Sequence, residues 1–107
     1  MPAFVFLMRF TSHGKTSVLA DPVAAGERWS QTWVALGGSS LDVHFTAGEY
    51  DCVAVGNTEQ ERVALGFAGH LADEGFMATQ TMRAYSAADV REATMFLKPN
   101  VHPYGPA

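Results

Sequence analysis

Residues 39–55 read Ser-Ser-Leu-Asp-Val-His-Phe-Thr-Ala-Gly-Glu-Tyr-Asp-Cys-Val-Ala-Val, and their alternation decides the fold. In an extended chain, successive side chains point to opposite faces. Leu41, Val43 and Phe45 therefore share one face, and Asp42, His44 and Thr46 share the other. Ala47-Gly48-Glu49 reads as a turn, and Tyr50 to Val55 as the returning strand. On that strand Val53 and Val55 stand opposite Cys52 and Ala54.

Working outward from this hairpin, each flank offers one helix and one strand. Upstream, Asp21-Pro22 is a helix start, because Asp accepts from free backbone N–H groups and Pro suits the first turn. The helix stops at Gly37-Gly38 and places Ala25, Trp29, Trp33 and Leu36 on one stripe. Before it, 3–10 is a strand of aromatic and branched residues, and 11–20 reads as a loop turning at His13-Gly14. Downstream, Thr58-Glu59-Gln60-Glu61 has the form of a capping box. It opens a second helix with Val63, Phe67 and Leu71 buried, which ends at Gly75. A fourth strand is predicted over about 76–85, then a Ser86-capped helix to about Leu97 and a tail, 98–107, with three of the five prolines. The order is β-α-β-β-α-β plus a terminal helix, a ferredoxin-like α+β plait over 1–97.

Two helices cover only one face of such a sheet. Yet the first strand alternates Phe4, Phe6, Met8 and Phe10 with Val5 and Leu7, so both faces are apolar. The economical cover for the second face is another copy of the chain, and a homodimer is expected. The alternative cover is the chain's own last helix and tail. Size agrees, since 107 residues make one core.

Charge narrows the partners. Seven Lys and Arg against eleven Asp and Glu give a net charge of -4, with no basic cluster for nucleic acid. One cysteine, Cys52, excludes an internal disulfide framework. The apolar run at 2–8 is too short to span a bilayer and lacks the flanks of a signal peptide. A cytoplasmic, membrane-free setting is expected.

At Gly48-Glu49-Tyr50-Asp51 the sequence resembles the GYD domain family. The resemblance spans about 3–97 and includes Leu7-Met8-Arg9-Phe10-Thr11, Asp21-Pro22, Leu36-Gly37-Gly38 and the run Thr79 to Tyr85. It implies a dimeric α+β barrel of two plaits paired sheet to sheet. Structural relatives of that barrel include cofactor-free monooxygenases, polyketide cyclases, lactone isomerases and haem-binding enzymes, an analogy of fold alone. This chain departs from the family at His44, where a large aromatic is usual, and at His70, where a small residue is common. His13, and the tail with His102, also set it apart.

Three functional readings follow. In the first, a dimeric enzyme acts on a hydrophobic, aromatic or polyketide-like metabolite by proton transfer, cyclisation or cofactor-free oxygenation. His44 is its acid/base, provided that it faces the layer between sheet and helices, while Tyr50 or Asp51 assists. Arg9 and Arg83 are candidates to clamp a substrate carboxylate or enolate, and Trp29, Trp33 and Phe67 to wall an aromatic pocket. Core packing is the plainer reading of those three aromatics and of Met82, and backbone capping the plainer reading of Asp51. In the second reading, His13, His44 and His70 hold a divalent metal, or His70 ligates haem. The third is a non-catalytic dimer that binds a small molecule. Cys52, among apolar neighbours, reads as an inert thiol.

Overall fold

A computed structural model describes residues 1–95. Eight elements follow one another: β1 (Ala3–Phe10), α1 (Ser12–Ala20), α2 (Pro22–Ala35), β2 (Ser40–Phe45), β3 (Cys52–Asn57), α3 (Glu61–Glu74), β4 (Met77–Ala84) and α4 (Ala87–Thr94). The strands form one antiparallel sheet in the order β2-β3-β1-β4, the ferredoxin-like plait. The tail 98–107, Leu97 and His102 lie outside the described residues.

Alternation sorts the sheet as the sequence indicates. Phe4, Phe6 and Met8 of β1, Cys52 and Ala54 of β3, and Leu41 of β2 are buried against the helices. Phe6 sits at the centre, 5.7 Å from the Trp33 ring and 5.0 Å from the Phe67 ring, edge-on to both. Trp33 and Phe67 are themselves edge-on at 5.4 Å. One aromatic from β1, one from α2 and one from α3 thus lock sheet and helices together. Each such pair adds about 0.5–1.5 kcal/mol beyond its buried area.

Trp33 fits because two glycines make room. A Cβ on Gly56 would lie 2.6 Å from its ring, and one on Gly38 would lie 2.2 Å from its indole nitrogen. That nitrogen donates to the Asn57 carbonyl at 3.3 Å. Helix ends follow their sequence signals in three places. The Asp21 carboxylate accepts from Ala24 N–H, Gly75 adopts a left-handed φ of 78°, and Ser86 and Asp89 form a reciprocal capping box.

Two local expectations are corrected. Residues 11–20 are not a loop turning at His13-Gly14, because Ser12–Ala20 is helical. The Thr11 hydroxyl accepts from Gly14 N–H at 2.9 Å and donates to the Gly75 carbonyl at 2.7 Å. Gly14 serves close approach and not a turn, since a Cβ there would sit 1.7 Å from the Phe76 carbonyl oxygen. The Thr58 capping box is also absent. Thr58 N–H donates to the Pro2 carbonyl, so it cannot take the Glu61 carboxylate, and α3 starts after Gln60 with no side-chain cap. The Thr58 hydroxyl instead accepts from Gln60 N–H at 3.1 Å in a tight local turn.

Gly56→Ala forces Cβ against the Trp33 ring and is expected to cost about 1–3 kcal/mol. Gly69 lies within α3 with nothing near a would-be Cβ. Gly69→Ala is expected to stabilise by up to about 1 kcal/mol through helix propensity. Urea unfolding of both variants beside the wild type checks the pair.

Candidate functional site

The face of the sheet turned away from the helices carries the GYD residues. Strand register places its side chains in transverse rows. One row runs His44, Val53, Leu7, Gln80, and the next runs Asp42, Val55, Val5, Met82. Valines, a leucine and a methionine form the floor, with polar groups at both margins; that methionine, Met82, is 39% exposed and is not a core residue as expected, because its parity on β4 turns it away from the helices.

The polar cluster lies at the β4 margin. Tyr50 leaves the β2–β3 turn and reaches over β1, where its hydroxyl meets the Gln80 side-chain oxygen at 3.0 Å and donates to it. The Arg9 guanidinium stacks 4.8 Å from the Tyr50 ring centre and bonds the Glu49 carboxylate at 2.6 Å. Leu7, Arg9, Tyr50, Ala78, Thr79 and Gln80 line a hollow of about 210 Å³. An aromatic ring, a hydroxyl, an amide and a guanidinium thus converge over an apolar floor.

Asp51 takes a different part. Its carboxylate accepts from Phe10 N–H at 2.8 Å, and its own N–H donates to the Met8 carbonyl. It holds the end of β1 to β3 and faces away from β2. The motif thereby divides its labour: Asp51 pins two strands, and Tyr50 is aimed across the sheet.

His44 is exposed and does not enter the layer between sheet and helices, because Leu41 and Val43, of opposite parity, occupy that side. It shares the open face with Tyr50 but ends the far side of its row. Three strand spacings, roughly 14 Å, separate His44 from Gln80. Among the described residues no hydrogen bond joins His44 to Tyr50 or Asp51, whose side chains bond Gln80 and Phe10 N–H.

Arg9 and Arg83, either of which is a candidate clamp, lie on opposite faces of the sheet. Arg83 pairs with Phe4 and so lies on the helix-side face, 5.7 Å from the Phe4 ring and 4.8 Å from the Tyr85 ring. Arg9 is on the other face and near the other end of β1. Trp29, Trp33 and Phe67 are fully buried, and their rings pack in the core and line no described hollow. The three histidines do not gather: His13 stacks 5.2 Å from Phe76, His70 faces Glu74, and His44 lies across the sheet. Among the described residues no group of three or more His, Cys, Asp or Glu is placed to hold a metal ion.

One polar cluster escaped the sequence reading. Glu74, at the end of α3, accepts from the Trp29 indole N–H at 3.0 Å and from Arg28 at 3.2 Å. His70 Nε2 is 3.7 Å from the same carboxylate. The i,i+4 spacing of His70 and Glu74 was legible, whereas their contact with α2 is long-range. The His70 ring lies beside Glu74, with its Nε2 shielded from solvent.

Comparison with family profiles matches the GYD domain over residues 4–94. This chain belongs to the GYD domain family. A comparison with curated proteins finds no match. Among the described residues, no helix is long and apolar enough to cross a membrane. Within this GYD domain, the tyrosine and aspartate of the signature are the residues that face β4 and clamp β1 respectively.

Asp51→Ala is expected to destabilise by about 1–3 kcal/mol, since it leaves the Phe10 N–H unpaired. Tyr50→Phe, at the surface, is expected to stay within about 0.5 kcal/mol; urea unfolding compares them. Burial, helped by the Asp51 charge, pushes the Cys52 thiol from 9.0 up to about 12. The native thiol stays protonated where the unfolded one ionises, so unfolding releases a proton. Its stabilisation is complete below pH 9 and is lost as pH rises towards 12. At pH 8 a disulfide reagent is expected to leave the native thiol untouched and to modify it on addition of urea.

Proposed function

We propose that this GYD domain works as a homodimer that binds an amphiphilic small molecule on the open face of its sheet. The apolar body of the ligand lies on Leu7 and Val53, and its polar head meets Tyr50, Gln80 and Arg9. The observation that carries this reading is the convergence of those three side chains at one edge of a face whose centre is apolar. A sheet face holding Val5, Leu7, Val53, Val55 and Met82 calls for a cover. Full burial of one such side chain is worth about 1.5–3 kcal/mol. A second copy, face to face, supplies that cover under two-fold symmetry and turns the shallow hollow into an enclosed one.

One feature favours a second, catalytic reading. His44 stands in the same row as Gln80, so a ligand spanning the face would bring an imidazole to one end and a phenol to the other. Proton transfer on a hydrophobic or polyketide-like metabolite, with His44 as acid/base, would use both ends. This reading separates from simple binding because His44→Asn would then abolish turnover while leaving affinity unchanged.

Anilinonaphthalene sulfonate, an apolar body with an anionic head, is a suitable probe. Light scattering of the wild type is expected to give twice the chain mass of 11.5 kDa. Probe fluorescence should rise on binding, and Tyr50→Phe and Gln80→Ala should each weaken affinity about fivefold, the equivalent of one hydrogen bond. Equal affinity for all three proteins, or a monomeric wild type, would overturn the proposal.

A further inference from the structure

One carboxylate already sits on the cation of the open-face hollow, and it belongs to the chain itself. Glu49 Oε1 accepts a hydrogen bond from the Arg9 guanidinium at 2.6 Å. The pair lies at the surface, with the Arg9 side chain 49% exposed and that of Glu49 74% exposed. Exposed pairs of this kind hold weakly, because water competes for both charges. Glu49 stands in the turn between β2 and β3, and among the described residues no other side-chain hydrogen bond or ion pair holds its carboxylate.

The hollow is built for the group that Glu49 offers. Arg9 is the one charged residue in its lining, and Glu49 meets Arg9 from outside that lining. The Asp51 carboxylate, next but one along the chain, is taken by the Phe10 N–H. The Tyr50 ring steadies the guanidinium, 4.8 Å from its centre. Because the Tyr50 hydroxyl donates to the Gln80 side-chain oxygen, the Gln80 amide N–H groups remain as donors. A guanidinium carries five N–H groups in a fork that matches a carboxylate, and one Arg9 nitrogen meets Glu49. The polar end of the hollow is therefore rich in donors and lined by no anion. On a chain of net charge -4, that is a local reversal of sign.

We infer that the ligand of the open face carries a carboxylate, and that Glu49 is the internal carboxylate it displaces from Arg9. The head of the ligand takes the guanidinium fork and a Gln80 N–H, and its apolar body lies on Leu7. Glu49 then turns to solvent, which costs no more than a surface ion pair. An uncharged head offers Arg9 less than Glu49 does, so it leaves the pair in place and gains nothing from the guanidinium. Glu49 thereby selects for anions. The inference rests on the reading that this face binds an amphiphile. It needs no second copy, since Arg9, Glu49, Tyr50 and Gln80 belong to one chain.

Naphthaleneacetate and naphthaleneacetamide share one body and differ in a carboxylate against a neutral amide. Titrated calorimetrically into the full chain, the carboxylate is expected to bind about tenfold more tightly than the amide, the scale of a charge-assisted hydrogen bond. Arg9→Gln should remove that preference. Glu49→Gln should raise carboxylate affinity about threefold, the scale of an exposed ion pair, and leave the amide unchanged. In the Arg9→Gln background, Glu49→Gln should change nothing, whereas plain repulsion between Glu49 and the ligand would persist there. Thermal unfolding of each variant checks that the fold is intact. Equal affinity of the wild type for both probes overturns the carboxylate; sulfonate binding that depends on Tyr50 and Gln80 then leaves the open-face site standing. No gain from Glu49→Gln, or a gain that survives loss of Arg9, overturns the displacement. Failure to bind either naphthalene probe also overturns the inference, and when the sulfonate fails too the open-face reading falls with it.

Discussion

The packing of Phe6, Trp33 and Phe67 is the constraint from which the rest of the molecule follows. Three rings from three elements meet edge-on at the centre, and two of those elements are the long helices. Once Trp33 is seated in the space left by Gly38 and Gly56, both long helices lie on one side of the sheet. Every side chain of opposite parity is then turned outward. The open face is thus a product of the core.

That division of faces sets what the GYD motif can do. Asp51 spends its carboxylate on the Phe10 N–H, which fixes the approach of β3 to β1 at the end where the turn begins. With the strand ends held, Tyr50 can extend over β1 to Gln80, supported beneath by Leu7 and beside by Arg9. The strand clamp and the reach across the sheet come from adjacent residues with separate tasks. His44 belongs to the same surface but stands at its opposite margin, on β2.

Much of the fold was legible because its signals are local. Alternation at 41–55 gave the faces, Asp21-Pro22 and Ser86-Asp89 gave helix starts, and Gly75 gave a stop. The failures share one cause, which is that a local signal was outbid by a distant partner. Gly14 read as a turn residue, but it is small so that α1 can lie on the Phe76 backbone. Thr58 read as a cap, but its N–H is taken by Pro2. At the site, parity placed His44 opposite Leu41 and Val43 without saying which face the helices would take. Reach was not legible at all. Nothing in the sequence indicates that Tyr50 extends to β4, or that Glu74 collects Trp29, Arg28 and His70.

The two tryptophans of α2 have a mechanical consequence. They sit one helical turn apart, and each gives its indole N–H to a different neighbour: Trp29 to the Glu74 carboxylate on α3, Trp33 to the Asn57 carbonyl on β3. A helix bolted at two points to two separate supports cannot slide along its axis or roll about it without breaking both bonds. The helical layer is therefore tied as a plate to the sheet, and any movement that accompanies occupancy of the open face must carry sheet and helices together.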